Sequence, residues 1–469
     1  LGGDDALSAE AVTFSGSVLL DGGEGIDSIA FAYPHAASGV TIRGGGNAAD
    51  ELAVTLSDSN EVVVLTDTHL EVSGSNGVVY TGFGSVQLNT MGGNDEVNVK
   101  STHAGTTELN TNAGNDTVTL ETISGNTTVN TAAGSDTVNI RTIAAATTVN
   151  TGDDADTVNV GSLAPATGGD VNGIGAVLTI NGDGEADSLN VDDTGDTAGN
   201  TGNLTATSIT GLGMTGTGKI VYGTVESLTI GLGSGDDTFT VASTHTGTTE
   251  LNTNTGNDTV TLETISGNST VNTAAGSDTV NVRTIAAGTT VNTGADADTV
   301  NVGSLAPATG GDVNGIGAVL TVNGDGEADS LNVDDTADTA GNTGNLTATD
   351  ITGLGMTGKI VYGTVESLTI GLGSGGDTFT VESTHAGATE LNTNGGGDTV
   401  TLETISGNTT VNTAAGSDTV NVRTIAAATA VNTGGDADTV NVGSLAPATG
   451  GNVNGIGAVL TVNGDGEAD

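Results

Sequence analysis
The chain has 469 residues, with 57 acidic against 7 basic side chains and a formal net charge of −50. That imbalance excludes nucleic acid and anionic membrane surfaces as partners and makes divalent cations the natural ones. Aromatic residues are 2 % of the chain against 35 % hydrophobic, with 77 Gly, 4 Pro and no Cys. This excludes a broad globular core, a disulfide framework and a thiolate metal site, and the regular spacing of the apolar residues excludes disorder. No apolar run reaches membrane-spanning length, so no membrane insertion is expected. With Leu1 in place of an initiator Met and no signal peptide, the chain reads as an internal segment.

Residues 1–100 are divergent but hold a register of acidic turns at Asp27, Asp50 and Asp95. From residue 101 the register becomes regular. Leu109 is followed by Asp116-Thr117-Val118-Thr119-Leu120, Val129 by Asp136-Thr137-Val138-Asn139-Ile140, and Val149 by Asp156-Thr157-Val158-Asn159-Val160. The phrase returns every 20 or 21 residues and alternates with period two, so each unit is a set of strands that must stack on its neighbours. A step of this size fits three short strands and three turns per coil. Longer steps interrupt it. One carries an insertion at 164–170, and the next holds two coils, one using Asn203–Thr207 and Lys219–Tyr222 as strands. Val78-Val79-Tyr80 takes the same place in the divergent region. The whole block recurs, giving long repeats at 101–242 and 243–382 and a partial one at 383–469, where Asp469 continues the register. The expected fold is all-β, a single continuous parallel β-solenoid of about 20 coils without helices, on the order of 100 Å long at one coil per ~4.8 Å.

In-register stacking places the aspartates in one column: Asp27, Asp95, Asp116, Asp136, Asp156, Asp187, Asp237, Asp258, Asp278, Asp298, Asp329, Asp377, Asp398, Asp418 and Asp438. Neighbouring carboxylates about 5 Å apart repel by roughly 3–4 kcal/mol at an effective dielectric near 20. Such a column needs backbone N–H donors or intervening cations, and hard oxygen ligands favour Ca²⁺. Gly22-Gly23-Glu24-Gly25-Ile26-Asp27-Ser28-Ile29-Ala30 fits the nonapeptide Gly-Gly-x-Gly-x-Asp-x-aliphatic-x. It resembles the repeats-in-toxin (RTX, haemolysin-type) calcium-binding repeats, which implies a Ca²⁺-binding β-roll at Asp27. Elsewhere the second half survives, as in Gly114-Asn115-Asp116-Thr117-Val118, with Asn112-Ala113 or Ala132-Ala133 in place of the glycine pair. There the resemblance implies a related solenoid, and the Asp reads either as a Ca²⁺ ligand or as an Asx-type turn cap.

Asn110, Asn130, Asn150, Asn252, Asn272 and Asn292 read as an asparagine ladder along one edge. The abundant Thr residues suit strands. In flat outward columns they would make an ice-binding surface, and with sequons such as Asn126-Thr127-Thr128 and Asn203-Leu204-Thr205 they leave room for glycans. His103, His245 and His385 occur once per long repeat, as do Arg141, Arg283 and Arg423. They form no nucleophile–base pair and no cationic cluster, so an enzyme is not expected. The chain is similar to the giant bacterial surface and matrix proteins that carry Gly-Asn-Asp-Thr-Val repeats. That implies an extracellular structural protein, a stiff, acidic, cation-stabilised rod self-associating end to end into filaments. The alternatives are the stalk of a large adhesin or an ice-binding surface.

Overall fold
A computed structural model of the chain describes residues 2–9, 16–32 and 39–464; Asp469 lies outside them. The described residues form 43 strands and no helix, and nearly all strand pairs are parallel and in register, the arrangement of a parallel β-solenoid. The chain divides into two compact units, Leu1–Asn203 with Thr207–Gly233, and Leu204–Ala206 with Ser234–Asp469.

Each regular coil carries two short strands rather than the expected three. In the first unit Thr117–Leu120 and Thr127–Asn130 belong to one coil, and Thr137–Ile140 and Thr147–Asn150 to the next. Between them neighbouring coils meet at single bridges, Ile123 with Ile143 and Ala113 with Ala133. Backbone conformation explains the missing third strand. Ala132 (φ 74°) and Gly134 (φ 122°) flank Ala133 in the left-handed region, which confines pairing there to one residue. A Cβ on Gly134 would lie 2.0 Å from the Gly114 carbonyl oxygen of the preceding coil, so this glycine is required both by its φ and by the close approach of the coils.

The period-two pattern puts one residue of each pair inside. Val118 stacks on Val138 and Leu120 on Ile140 across one sheet, and Val129 stacks on Leu109 and Val149 across the other. All are fully buried, each contributing about 1.5–3 kcal/mol on burial. The core is a thin column of small aliphatic side chains, which is why so few aromatics suffice. Phe239, Phe379, Tyr222 and Tyr362 occupy the same kind of inward strand position and are buried.

The longer steps contain an element that strand periodicity does not announce, a short antiparallel strand. In the second unit Thr343–Leu346, Asp350–Gly353 and Lys359–Gly363 form an antiparallel triplet. Its outer members rejoin the parallel stacks, on Thr378–Val381 and Val319–Asn323. Val62–Leu65, His69–Val72 and Val78–Thr81 do the same in the first unit. The detour shifts the phrase by half a coil. The strand after Asp329 pairs with Ser367–Gly371, which pairs in turn with Ala388–Asn392 of the asparagine ladder, while the strand after Asp377 lies on the opposite sheet. The aspartates therefore do not form one column. They fall into separate runs: Asp5, Asp27 and Asp50, then Asp95 to Asp187, in the first unit, and Asp237 to Asp329, then Asp377 to Asp438, in the second.

The 31-residue steps carry the expected insertion as an irregular loop, and the repeated arginines anchor it. Arg141 Nε donates to the Ala164 carbonyl at 2.9 Å, and Arg283 Nε to Ala306 at 3.0 Å while its Nη1 meets Glu263 at 2.8 Å.

Candidate functional site
Left-handed residues at −4 and −2 precede the inward aspartate, Asn112 and Gly114 before Asp116, Ala132 and Gly134 before Asp136, and Gly152 and Asp154 before Asp156. Asp95, Asp116, Asp136, Asp156 and Asp187 are 1–3 % exposed, and Asp27 is fully buried. Within a run the contact is a one-way chain. The backbone N–H of Asp95 donates to Asp116 Oδ1, that of Asp116 to Asp136, that of Asp136 to Asp156 and that of Asp156 to Asp187, at 2.7–2.9 Å. The same chain links Asp237, Asp258, Asp278, Asp298 and Asp329 at 2.7–3.0 Å, and Asp377, Asp398, Asp418 and Asp438 at 2.7–2.9 Å. Asp5 N–H to Asp27 and Asp27 N–H to Asp50, each 3.0 Å, make the short first run. Glutamate closes two runs. Asp187 N–H donates to Glu226 Oε2 and Asp329 N–H to Glu366 Oε2, at 2.8 and 2.9 Å, the longer side chain reaching from the coil that lacks the phrase.

The residue before each Asp works in the opposite direction. Asn94 Oδ1 accepts from Asn115 N–H at 3.0 Å and Asn115 Oδ1 from Ser135 N–H at 3.1 Å. In Gly-Asn-Asp the Asn thus ties each coil to the following one and the Asp to the preceding one.

The second carboxylate oxygen is different. Oδ2 of Asp116, Asp136, Asp156, Asp258, Asp278, Asp298, Asp398 and Asp418 is buried without a hydrogen-bond partner. A threonine five residues upstream faces each of these carboxyls, Thr131 for Asp136 and Thr273 for Asp278 among them. That threonine column is also interior. Thr131 Oγ1 donates to the Thr151 carbonyl at 2.7 Å, Thr273 to Thr293 at 2.6 Å and Thr413 to Thr433 at 2.6 Å. Burial pushes the Asp136 and Asp278 carboxyls up to about 7, with the carboxylates of the two adjoining coils adding to it. Asp187 is pushed to about 6 by burial. Burial also raises Asp116, Asp156, Asp258, Asp298, Asp329, Asp377, Asp398 and Asp418.

Ca²⁺ takes six to eight oxygens, yet among the described residues no three acidic or histidine side chains gather around a common point. Oδ1 of Asp116, Asp136, Asp156 and Asp187 is already engaged by a backbone N–H, as is that of Asp278, Asp298 and Asp329. At Asp27, where the RTX-like signature is complete, a Cβ on Gly22 would lie 2.4 Å from Asp27 Oδ2. The glycine makes room for the carboxyl itself. Gly182 and Gly324 stand in the same relation to Asp187 and Asp329, at 2.4 and 2.3 Å.

The asparagine ladder is on the solvent side. Asn130 Nδ2 donates to Asn110 Oδ1, Asn150 to Asn130 and Asn181 to Asn150, each at 2.7 Å. In the second unit Asn272 and Asn292 continue it from Asn252 at 2.7 Å. A further amide column, not singled out from the sequence, runs along the opposite sheet. Asn159 donates to Asn139 and Asn190 to Asn159, at 2.9 Å. Its signal was present in the repeated Thr-Val-Asn-Val, read there simply as strand alternation. The Thr–Asp pairing was equally visible as a Thr five residues before the Asp, and equally unread. His103 and His385 are half-buried, and burial lowers both; His385 meets Tyr362 edge-on at 5.8 Å. No protein-family model and no curated protein matches this sequence.

Proposed function
We propose that the chain is an extracellular structural repeat protein, a stiff acidic element of a surface layer, fibre or matrix, in which the stacked coils are themselves the working part. The observation that carries this reading is duplication. The aspartate chain, the interior threonine column and the solvent-side amide ladder recur from coil to coil with nearly constant distances. Chemistry at a single site would call for a distinct constellation in one coil, whereas added length calls for the same contacts repeated. The acidic composition and the likeness of residues 22–30 to secreted calcium-dependent repeats support placing it outside the cell. Antibody labelling of intact cells combined with in-frame deletion of residues 243–382 tests the reading. Expected are surface access in the parent and a graded change in the thickness or reach of the layer in the deletion strain. Retention inside the cell, or an all-or-none loss of a chemical activity on deletion, would sink it.

A further inference from the structure
The inner ladder leaves a specific hydrogen-bonding deficit. Asp136 is 2 % exposed. Its Oδ1 accepts the Asp116 N–H and its carbonyl accepts the Thr157 N–H, but its Oδ2 has no partner. The neighbour facing it is the Thr131 hydroxyl, which is within hydrogen-bonding reach of both this carboxyl and the Thr151 carbonyl. One hydroxyl hydrogen thus faces two acceptors, the carboxyl and the carbonyl, and cannot serve both, a shortfall that buried polar groups avoid. The charged groups acting on Asp136 are Asp116 and Asp156 of the adjoining coils. For Asp278 they are Asp258 and Asp298, and for Asp418 they are Asp398 and Asp438. All are acidic, so no cation offsets an ionised carboxylate at these positions.

We propose that these interior carboxyls are proton-binding sites: Asp136, Asp278 and Asp418 each hold a hydrogen on Oδ2 and donate it to the threonine five residues upstream. The threonine passes its own hydrogen to the carbonyl of the next coil, so acid, hydroxyl and carbonyl form a continuous relay and every group is satisfied. The proton is taken from solvent as the coil closes and returns to solvent when it opens, and no bond other than this O–H is made or broken. Burial, with the acidic neighbours, acts in the direction this requires and outweighs the backbone N–H and threonine hydrogen bonds that favour the charged form. The arrangement turns the ladder from a column of repelling charges into a partly neutral one. It also makes the stack responsive to acid rather than dependent on a metal.

The test is carboxyl-carbon NMR of the full chain labelled at aspartate, titrated with and without Ca²⁺, on the parent and on D136N and D278N. The proposal predicts ladder resonances titrating near 7, lost selectively in the two variants and unmoved by Ca²⁺. Asn presents an N–H where the acid O–H would be. Both variants should therefore fold, melt at about pH 8 no lower than the parent, and show a smaller difference in Tm between about pH 8 and about pH 5. Titration of every ladder carboxyl at or below the ordinary 3.8 would overturn the proposal. So would a lower Tm or failure to fold in the Asn variants, or a midpoint that Ca²⁺ displaces downward.

Discussion

The aspartate and asparagine columns solve the same problem on the two sides of the sheets. Both repeat once per coil, and both use a side-chain oxygen as an acceptor at close to 2.7 Å. An amide carries donor and acceptor together, so Asn110, Asn130 and Asn150 satisfy one another and the column completes itself wherever it is placed. A carboxylate is an acceptor alone. Its column needs donors from elsewhere, and the backbone N–H of the preceding coil supplies one for Oδ1. The other oxygen is buried against a threonine, and the charged groups nearest it are themselves acidic. The self-complementary group can stand at the solvent edge unaided, whereas the acidic group depends on its protonation state.

The sharpest way to break the comparison is to remove the interior acceptor. Asp136→Leu leaves the Asp116 N–H buried without a partner and forces a branched side chain against Thr131. A cost of about 2–4 kcal/mol is expected, combining an orphaned donor with overpacking. Because a stack opens locally, the readout is hydrogen exchange. The amides of Asp116 and Thr137–Ile140 should lose protection while those of the Asp237–Asp329 run keep theirs.

Next in size is the response to pH. The folded carboxyls of Asp136 and Asp278 are raised to about 7 from an ordinary 3.8, so the folded chain binds more protons than the unfolded chain between those values. Stability should therefore rise as pH falls from about 8 towards about 4, the contribution being complete below the unfolded value. Groups shifted the other way set the lower limit. Asp350 is depressed by hydrogen bonding to Lys359, and Asp196 and Asp338 by backbone N–H donors. What they contribute is lost as pH falls through their depressed values. Thermal melts across the range should show a maximum near pH 4, well below neutrality. A maximum near pH 7 would contradict the assignment of neutral acids to the ladder.

Most of the fold was legible in the sequence because the apolar alternation and the 20-residue return are strict. Val118, Val138 and Val158 had to share a face and a column. What stayed hidden came from geometry that periodicity does not encode. Left-handed conformations at Ala132 and Gly134 reduce the third side of a coil to one bridge. The antiparallel Asp350–Gly353 is too short and too irregular to stand out, yet it shifts the phrase by half a coil and divides the aspartates into runs. The candidate site was half legible. The Asp register was readable, its division into separate runs was not, and the sequence left open whether the aspartates cap or coordinate. Burial and the direction of the N–H donors favour a capping role, and neither follows from spacing.

A smaller effect is expected from importing the acid into the outer column. Asn130→Asp removes the Nδ2 donor to Asn110 and keeps an acceptor for Asn150 Nδ2. With solvent at hand the loss should be about 1 kcal/mol at neutral pH. It should shrink as the new carboxyl is protonated, since the acid O–H restores a donor towards Asn110. Denaturant melts of this variant at about pH 7 and about pH 4 measure both statements. A loss as large as that of Asp136→Leu would mean that the outer column is as dry as the inner one.

The smallest expected effect separates general screening from a specific site. With a net charge of −50 the chain repels itself, and any added salt should stabilise it by shortening the Debye length, to about 8 Å near physiological ionic strength. Mg²⁺ and Ca²⁺ at equal concentration screen alike. They differ where a protein offers a large, flexible oxygen cage, which favours Ca²⁺. Asp116, Asp136 and Asp156 instead have one oxygen held by a backbone N–H and the other enclosed beside a threonine, and Asp187 has its second oxygen beside Gly182. The exposed acidic residues, such as Asp153, Asp154 and Asp296, are ordinary surface charges. Melting the chain in matched CaCl₂ and MgCl₂ should therefore give the same Tm, both above the salt-free value. A Tm distinctly higher in Ca²⁺ would mean that oxygens are gathered around an ion, and the most direct place to look is the turn at residues 22–27, where the sequence signature is complete. Equal values leave the inner ladder to hydrogen bonds and protons, and the surface charge to whatever cations surround it.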